Sequence, residues 1–257
     1  MDWTDTDWTD RTAVLADIHG NALALGSVLE DIAAQGITQM VNLGDIFSGP
    51  LDPAGVWEQL KGRGLPTLRG NHDRYLIEGT GEDLGPTDRL TASLLPKEAF
   101  DWIRGLPEQL LWDGVFACHA TPGDDNTYWT EQVVEGGTSL APPAGIEALA
   151  TGIDTGIEAG LILYAHTHIP RVLQLADGRV MVNPGSVGCP AYTDTAPRPH
   201  VVQTGSPLAR YAVVQRDPGG WRVSHQAVHY DFDAAAEQAR THGRDDWARA
   251  VGTGWLG

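Results

Sequence analysis

The chain has 257 residues, 42% of them hydrophobic and 20% charged, which supplies an ordinary core and excludes wholesale disorder. Seventeen Lys plus Arg stand against thirty-four Asp plus Glu, a formal net charge of -17, so bulk nucleic-acid binding and anionic-membrane binding are not expected. No apolar run approaches a membrane span, the start MDWTDTDWTD is acidic where a signal peptide is basic, and Cys118 and Cys189 alone make no disulfide framework, so a cytoplasmic protein is expected.

Residues 1–10, with the near-repeat DWTD, carry no hydrophobic period and read as a flexible arm ahead of a single domain spanning 11–257. Thr12 to Ala16 is predicted as a strand that ends in Asp17-Ile18-His19-Gly20. Asn21 can then cap a helix in which Leu25, Val28, Leu29, Ile32 and Ala33 recur at helical spacing. Met40 to Leu43 repeats the strand and ends in Gly44-Asp45; Ser48-Gly49-Pro50 breaks the chain before a second helix over Pro53 to Lys61. Leu65 to Leu68 is predicted as a third strand, ending at Gly70-Asn71-His72-Asp73. Three strand-to-helix units in series predict parallel strands with right-handed crossovers, which gathers the three polar loops at one carboxyl edge.

Farther along, Thr87 to Leu94 and Lys97 to Leu106 read as helices, and Gln109 to Trp112 with Val115 to Cys118 as a hairpin-like pair leading to His119. The stretch from Ala120 to Gly160 is loop-rich with one helix near Ile146 to Ala150. Leu161 to Tyr164 is a strand that opens onto His166-Thr167-His168. Asp177-Gly178 and Asp217-Pro218-Gly219-Gly220 each mark a hairpin, and Phe232 to Thr241 a terminal helix, after which Gly252 to Gly257 is expected to fray.

Histidine beside carboxylate is the chemical signal. Asp17 and His19 are two apart after a strand, so extended backbone would aim both side chains the same way, and His166 with His168 repeats the spacing. Together with Asp45, Asn71 and His119, each at a strand end, they make seven candidate ligands of mixed nitrogen and oxygen type. Seven exceed one tetrahedral ion and fill two sites if one carboxylate bridges. Two divalent cations would also give an acidic protein the local positive charge that phosphate chemistry needs.

These residues resemble the calcineurin-like metallophosphoesterases, and among them the small bacterial phosphodiesterases and dinucleoside-tetraphosphate-hydrolase-like proteins. The resemblance rests on Asp17-x-His19, Gly44-Asp45, Gly70-Asn71-His72-Asp73, His119, His166-x-His168 and Asn183-Pro184-Gly185-Ser186, in the family's order. It implies an α/β fold, a four-layer α/β/β/α sandwich of two mixed sheets with a dinuclear metal site at the strand carboxyl edges. It further implies Asp17, His19, Asp45 and His168 as ligands of one ion, and Asp45, Asn71, His119 and His166 around the other. His72 would meet the phosphate as general acid or hydrogen-bond donor. The segment after Asp45, Ile46-Phe47-Ser48-Gly49-Pro50, lacks the Asp-Arg with which protein Ser/Thr phosphatases grip phosphate, and Ala165 stands where Gly usually precedes the His-x-His.

Tyr128 and Trp129, in the long loop after His119, are placed to cover the metals and stack a base, and Arg74 and Arg171 are candidate phosphate grips. His200, His225, His229 and His242 belong to no motif and are read as structural. The expected activity is hydrolysis of a small or nucleotide-like phosphoester, as a phosphodiesterase, by in-line attack of a metal-bridging hydroxide. Manganese is the first candidate metal, with Fe, Zn, Co or Ni alternatives. Dinucleoside tetraphosphate hydrolysis is the second expectation, and a catalytically silent interaction module is the alternative of another class.

Overall fold

The computed structural model describes residues 3–80, 84–154, 156 and 160–256. Side-chain alternation along the strands decides the layers. In β1 (Thr12–Leu15), Ala13 and Leu15 enter one apolar cluster, whereas Val14 and the following Ala16 enter another. In β4 (Val115–Cys118) and β7 (Leu161–Leu163), Val115, Ala117, Leu161 and Leu163 share the cluster of Val14, while Phe116, Cys118 and Ile162 turn into a third. Period two sends successive side chains to opposite faces, so strands buried throughout must be covered on both sides.

The middle cluster lies between two sheets. One has the order β13-β12-β1-β2, with β2 at Gln39–Asn42, β12 at Ala209–Asp217 and β13 at Gly220–Val228. The other has the order β3-β4-β7-β9-β8, with β3 at Gln109–Trp112, β8 at Arg171–Gln174 and β9 at Val180–Asn183. β1 pairs parallel with β2, and β4, β7 and β9 run parallel, while the remaining pairings within these sheets are antiparallel. Helices close the outer faces. α1 (Ala22–Ala34), α2 (Pro53–Leu60), α3 (Asn71–Glu78), α5 (Lys97–Arg104), α7 (Phe232–Thr241) and α8 (Asp245–Thr253) supply Leu25, Val56, Leu76, Ile103, Ala235 and Val251 to the first cluster. α4 (Pro86–Leu94) lies on the same side, packed against α2 and α3. α6 (Pro143–Leu149) supplies Ile146 to the third cluster. The result is the expected α/β/β/α sandwich of two mixed sheets. Among the described residues no helix is long and apolar enough to cross a membrane.

Several local expectations change. The strand expected over Leu65 to Leu68 shrinks to one parallel bridge between Asn42 and Thr67. Pro66 has no N–H to give the ladder, and its carbonyl only accepts from Asn42 N. A short hairpin, β5 (Glu131–Val134) with β6 (Gly137–Leu140), arises in the stretch expected to be loop-rich, and a second, β10 (Ala191–Asp194) with β11 (His200–Gln203), in a stretch for which no element was expected. α8 was not expected either, and the segment after it does not fray within its described residues. Gly254 O accepts from Gly205 N at 3.0 Å, and Leu256 N donates to Gln203 Oε1 at 3.3 Å.

The expected N-terminal arm also needs correction for its described residues. Trp3–Asp5 forms a turn of 3₁₀ helix, and Trp3 and Trp8 are buried in the cluster between the sheets. Trp8 is 0% exposed, meets the Trp221 ring at 6.3 Å, and its carbonyl accepts from Arg216 N at 2.7 Å. Two isolated indoles have no period, which is why hydrophobic patterning missed them. Trp8→Ala is therefore expected to cost about 3–5 kcal/mol in urea unfolding, as large core truncations do. A change within about 0.5 kcal/mol, typical of an exposed site, would return the segment to a loose arm.

Candidate metal centre

The backbone of the loops is unusual before any side chain is considered. Asp17 (φ 53°), His19 (φ 49°), Asp45 (φ 54°), His166 (φ 69°) and His168 (φ 58°) all adopt left-handed conformations. Among the described residues, Asp113 alone joins them as a non-glycine with positive φ. The Asp-x-His and His-x-His side chains thus converge by two left-handed residues, not by the extended backbone expected from their spacing. Such conformations cost about 1–3 kcal/mol each and persist only where the surroundings hold them. Here Asp17 N donates to Gly44 O and His19 N to Asp45 O, both at 3.0 Å, and Ser186 Oγ donates to Asp17 O at 2.7 Å. Asn183 Nδ2 donates to Ala165 O at 3.0 Å, which braces the His-x-His loop.

Glycine is obligatory where the second and third loops meet. A Cβ on Gly44 would stand 2.4 Å from Gly70 N, and one on Gly70 would stand 2.2 Å from Asp45 Oδ1. The Asp73 carboxylate then ties the loops together, accepting from Asp45 N at 2.8 Å, Gly70 N at 3.0 Å and Ile46 N at 3.1 Å.

Six of the side chains so placed form two acid–histidine groups that could each hold a cation: Asp17, His19 and His168, and Asp45, His119 and His166. Asp45 Oδ2 stands between the groups, 3.7 Å from His19 Nε2 and 3.4 Å from His119 Nε2. Asn71 Oδ1 lies 3.1 Å from His119 Nε2. Outward-facing nitrogens set the tautomers. The Nδ1 atoms of His19, His119 and His168 lie 2.7, 2.8 and 2.6 Å from the carbonyl oxygens of Ser48, Leu43 and Cys189. Those Nδ1–H groups donate, which leaves Nε2 of each ring facing inward, as a lone pair in His19 and His168, the way metal-ligating histidines are held. His166 bonds the other way, through Nε2 to Asn126 O at 2.9 Å.

The electrostatics test whether a cation fits. Asp17 is 0% exposed, and neither carboxylate oxygen has a hydrogen-bond partner. Burial pushes its carboxyl well above the usual range. Burial also lowers His19 and His166 to about 4 and His168 well below its usual value, so these imidazoles are neutral. His19 Nε2 and His168 Nε2 face each other at 3.1 Å with His168 Nε2 3.6 Å from Asp17 Oδ1. An unpartnered buried carboxylate facing neutral imidazole lone pairs is a costly arrangement in protein alone and a suitable one for a divalent ion. His119 behaves differently: burial would lower it, but the Asp45 carboxylate beside it raises it to about 10.

His72, the expected phosphate contact, lies at the rim of this group. Its backbone N donates to Asp45 Oδ1 at 2.9 Å, and its Nδ1 lies 2.9 Å from Asp88 Oδ1. Burial would lower its pKa, but Asp45 and Asp88 together raise it to about 9. Asp88, on α4 and 5% exposed, also accepts from Ser48 Oγ. Nothing in the sequence around Asp88 marks it, because its partnership with His72 is made only by the packing of α4 beside α3.

A cavity of about 890 Å³ opens above these groups. Tyr128 lines it, with its ring 5.2 Å from His166 and its hydroxyl bonded to Tyr192 and to His200 Nε2 at 2.9 and 3.0 Å. Trp129 does not line it. That residue is 1% exposed, lies 5.6 Å from the Tyr164 ring and donates Nε1–H to Ile146 O at 3.1 Å, because a neighbour of Tyr128 in the chain turns to the opposite side. Arg74 and Arg171 are also away from the lining. Arg74 is held by Asp125 through two 2.7 Å bonds, and Arg171 by the buried Glu131 at 2.7 Å. Tyr192, Arg244, Asp246 and Trp247, which carry no motif, line the cavity instead.

The sequence profile of the calcineurin-like phosphoesterase superfamily domain matches residues 11–204. The chain belongs to this superfamily. Membership supports a phosphoester hydrolase that uses divalent metal ions, and the two acid–histidine groups are the candidate positions for them. An uncharacterized protein of Methanocaldococcus jannaschii is 26% identical over 258 residues, covering 91% of this chain and 94% of that one. The fold is that of a metallophosphoesterase from Sphaerobacter thermophilus (TM-score 0.73, 23% identity, 96% of this chain and 99% of that one). It is equally that of a hypothetical protein from Pyrococcus horikoshii OT3 (TM-score 0.70, 21% identity, 96% and 99%).

The buried charge of this calcineurin-like centre leads to a test that needs no substrate. In chelator-treated protein, Asp17→Asn should leave the melting temperature unchanged or raise it, since it replaces a buried acid that costs free energy to ionise there. Saturating manganese should raise the wild type, by about 2.7 kcal/mol at a hundredfold excess over Kd, and the variant far less. Because His119 must give up a proton to become a ligand, loading at pH 7.5 should release protons, and affinity should rise with pH through the neutral range. Calorimetry in buffers of different ionisation enthalpy reads this, and loading without proton release would contradict it.

Proposed function

We propose that the protein hydrolyses small or nucleotide-like phosphoesters as a phosphodiesterase, with Asp17, His19, Asp45 and His168 around one divalent cation and Asp45, Asn71, His119 and His166 around a second. Asp45 is then shared, which its position between the two groups supports. The observation that carries the reading is the Asp17 carboxylate, buried and unpartnered beside the neutral imidazoles of His19 and His168, which line an open cavity. Divalent ions at these positions supply Lewis acidity toward phosphoryl oxygens and activate water as a nucleophile near neutral pH. Manganese is the first candidate, followed by Fe, Zn, Co and Ni.

The chain's own residues do the rest. His72, with its side chain 32% exposed to the cavity, is the proton donor to the leaving oxygen. Asp88 accepts from His72 Nδ1–H, which fixes the ring so that Nε2 carries the second proton toward the cavity, the geometry a general acid requires. Ser48 braces Asp88 from the other side. No Asp-Arg follows Asp45 to grip a phosphoprotein, so the proposed substrates are small molecules.

Hydrolysis of p-nitrophenyl phosphate and its bis ester, with and without chelator, tests the activity. No turnover of either after loading with each candidate metal would overturn it. His72→Ala should keep its metal content and lose about 10²- to 10⁴-fold in kcat on esters with alkoxide leaving groups, but little on p-nitrophenyl esters, which depart without a proton. Asp88→Asn should show the same leaving-group dependence with a smaller loss. An equal loss across leaving groups would make His72 a phosphate contact and not the acid.

A further inference from the structure

The cavity is far larger than a phosphate needs, within the roughly 300–1,000 Å³ range of pockets that enclose whole organic ligands. Its floor is the metal centre. One wall comes from α8 and the segment after it, through Arg244, Trp247, Ala250 and Leu256, all beyond the residues that the superfamily profile matches. Trp247 lies closest to the chemistry, with its indole 6.0 Å from the His19 ring at 65°. The wall is held firm: Arg244 donates Nη1–H to Thr87 Oγ at 2.6 Å, and α8 packs along α7.

Charge on the walls is as informative as shape. Among the described residues, Arg244 is the one Arg or Lys of the lining, and its Nε and Nη2 are already bound to Asp246 at 2.9 and 2.7 Å, while His72 belongs to the floor, where the reacting phosphate sits. Asp194, at the end of β10, adds a carboxylate whose Oδ1 accepts from its own neighbours Thr195 N and Ala196 N. A second phosphate on the substrate would meet this acidic rim and no free cation.

We propose that α8 forms the subsite for the organic group of the substrate, and that this group is an uncharged ring, nucleoside-like, stacked on Trp247 in an ester carrying a single phosphate. This rests on the phosphoester hydrolase reading above and deepens it. Stacking accepts any base, so the subsite selects ring over no ring, and the acidic rim selects one phosphate over a polyphosphate chain.

Two diesters with alkoxide leaving groups test it: adenosine 5′-methyl phosphate and glycerol methyl phosphate. For Trp247→Ala the ratio of their KM values should move against the adenosine ester by about 5- to 150-fold, the equivalent of a lost stack of about 1–3 kcal/mol. Trp247→Phe should restore most of the ratio, and metal content should match wild type in both variants. Wild type should turn over diadenosine tetraphosphate at least about tenfold less efficiently in kcat/KM than adenosine 5′-methyl phosphate, and Asp194→Asn should narrow that gap. An unchanged ratio, or loss of metal from Trp247→Ala, would make the indole a buttress of His19 and overturn the stacking. A preference for the tetraphosphate would overturn the charge selection. If wild type hydrolyses neither diester, the phosphodiesterase reading fails, and calorimetry with adenosine 5′-monophosphate decides the subsite separately. Binding that Trp247→Ala weakens at least fivefold supports it, and no binding overturns it.

Discussion

A carboxylate buried without a partner is the constraint on which the rest of this structure depends. Asp17 has both oxygens sealed from solvent, and the nearest side chains are imidazoles whose donating nitrogens are turned outward onto backbone carbonyls. The protein has spent its hydrogen bonds on aiming lone pairs inward, toward one another and toward two aspartates. Such a cluster is repulsive by itself and cohesive around divalent charge. The same cations would reconcile an overall charge of -17 with an anionic substrate, since the attraction is confined to the cavity floor while the remaining surface stays acidic.

Holding that cluster requires rigid support, and the four-layer fold provides it. The central strands β1, β4 and β7 are buried on both faces, and the parallel strands deliver the loops of the candidate site from β1, β2, β4 and β7 to one shared edge. Left-handed residues at five positions of the candidate cation groups are tolerated because neighbouring loops supply the hydrogen bonds, including the Asp73 carboxylate that gathers three backbone N–H groups. Stability is thus spent at the site and recovered in the layers beneath it.

Floor and walls of the cavity have different origins. The floor comes from short motifs within residues 11–204, the stretch that the superfamily profile matches. The walls come from the loop after His119, the β10–β11 hairpin and α8, none of which carries a motif. A division of this kind lets the same phosphoester chemistry be offered to different organic groups, with ligand identity decided by the elements that vary most freely.

The sequence by itself marked the acid and histidine residues that the fold brings together, six of them in the two candidate cation groups, because Asp-x-His, Gly-Asp, Gly-Asn-His-Asp and His-x-His are local patterns that follow short, plainly bounded apolar runs. It also determined the strand–helix alternation that makes a layered α/β fold. Only the tertiary structure decided which way the side chains point and what meets them. Trp129 is lost to the core while Tyr128 stays in the cavity, Arg74 and Arg171 are taken by acids, and Trp3 and Trp8 fill a gap between sheets. Asp88 reaches His72, and Trp247 reaches His19 from the far end of the chain, by helix packing alone. Periodicity and spacing report on contacts within a few residues, whereas these pairs are joined across the fold, where no local pattern records them.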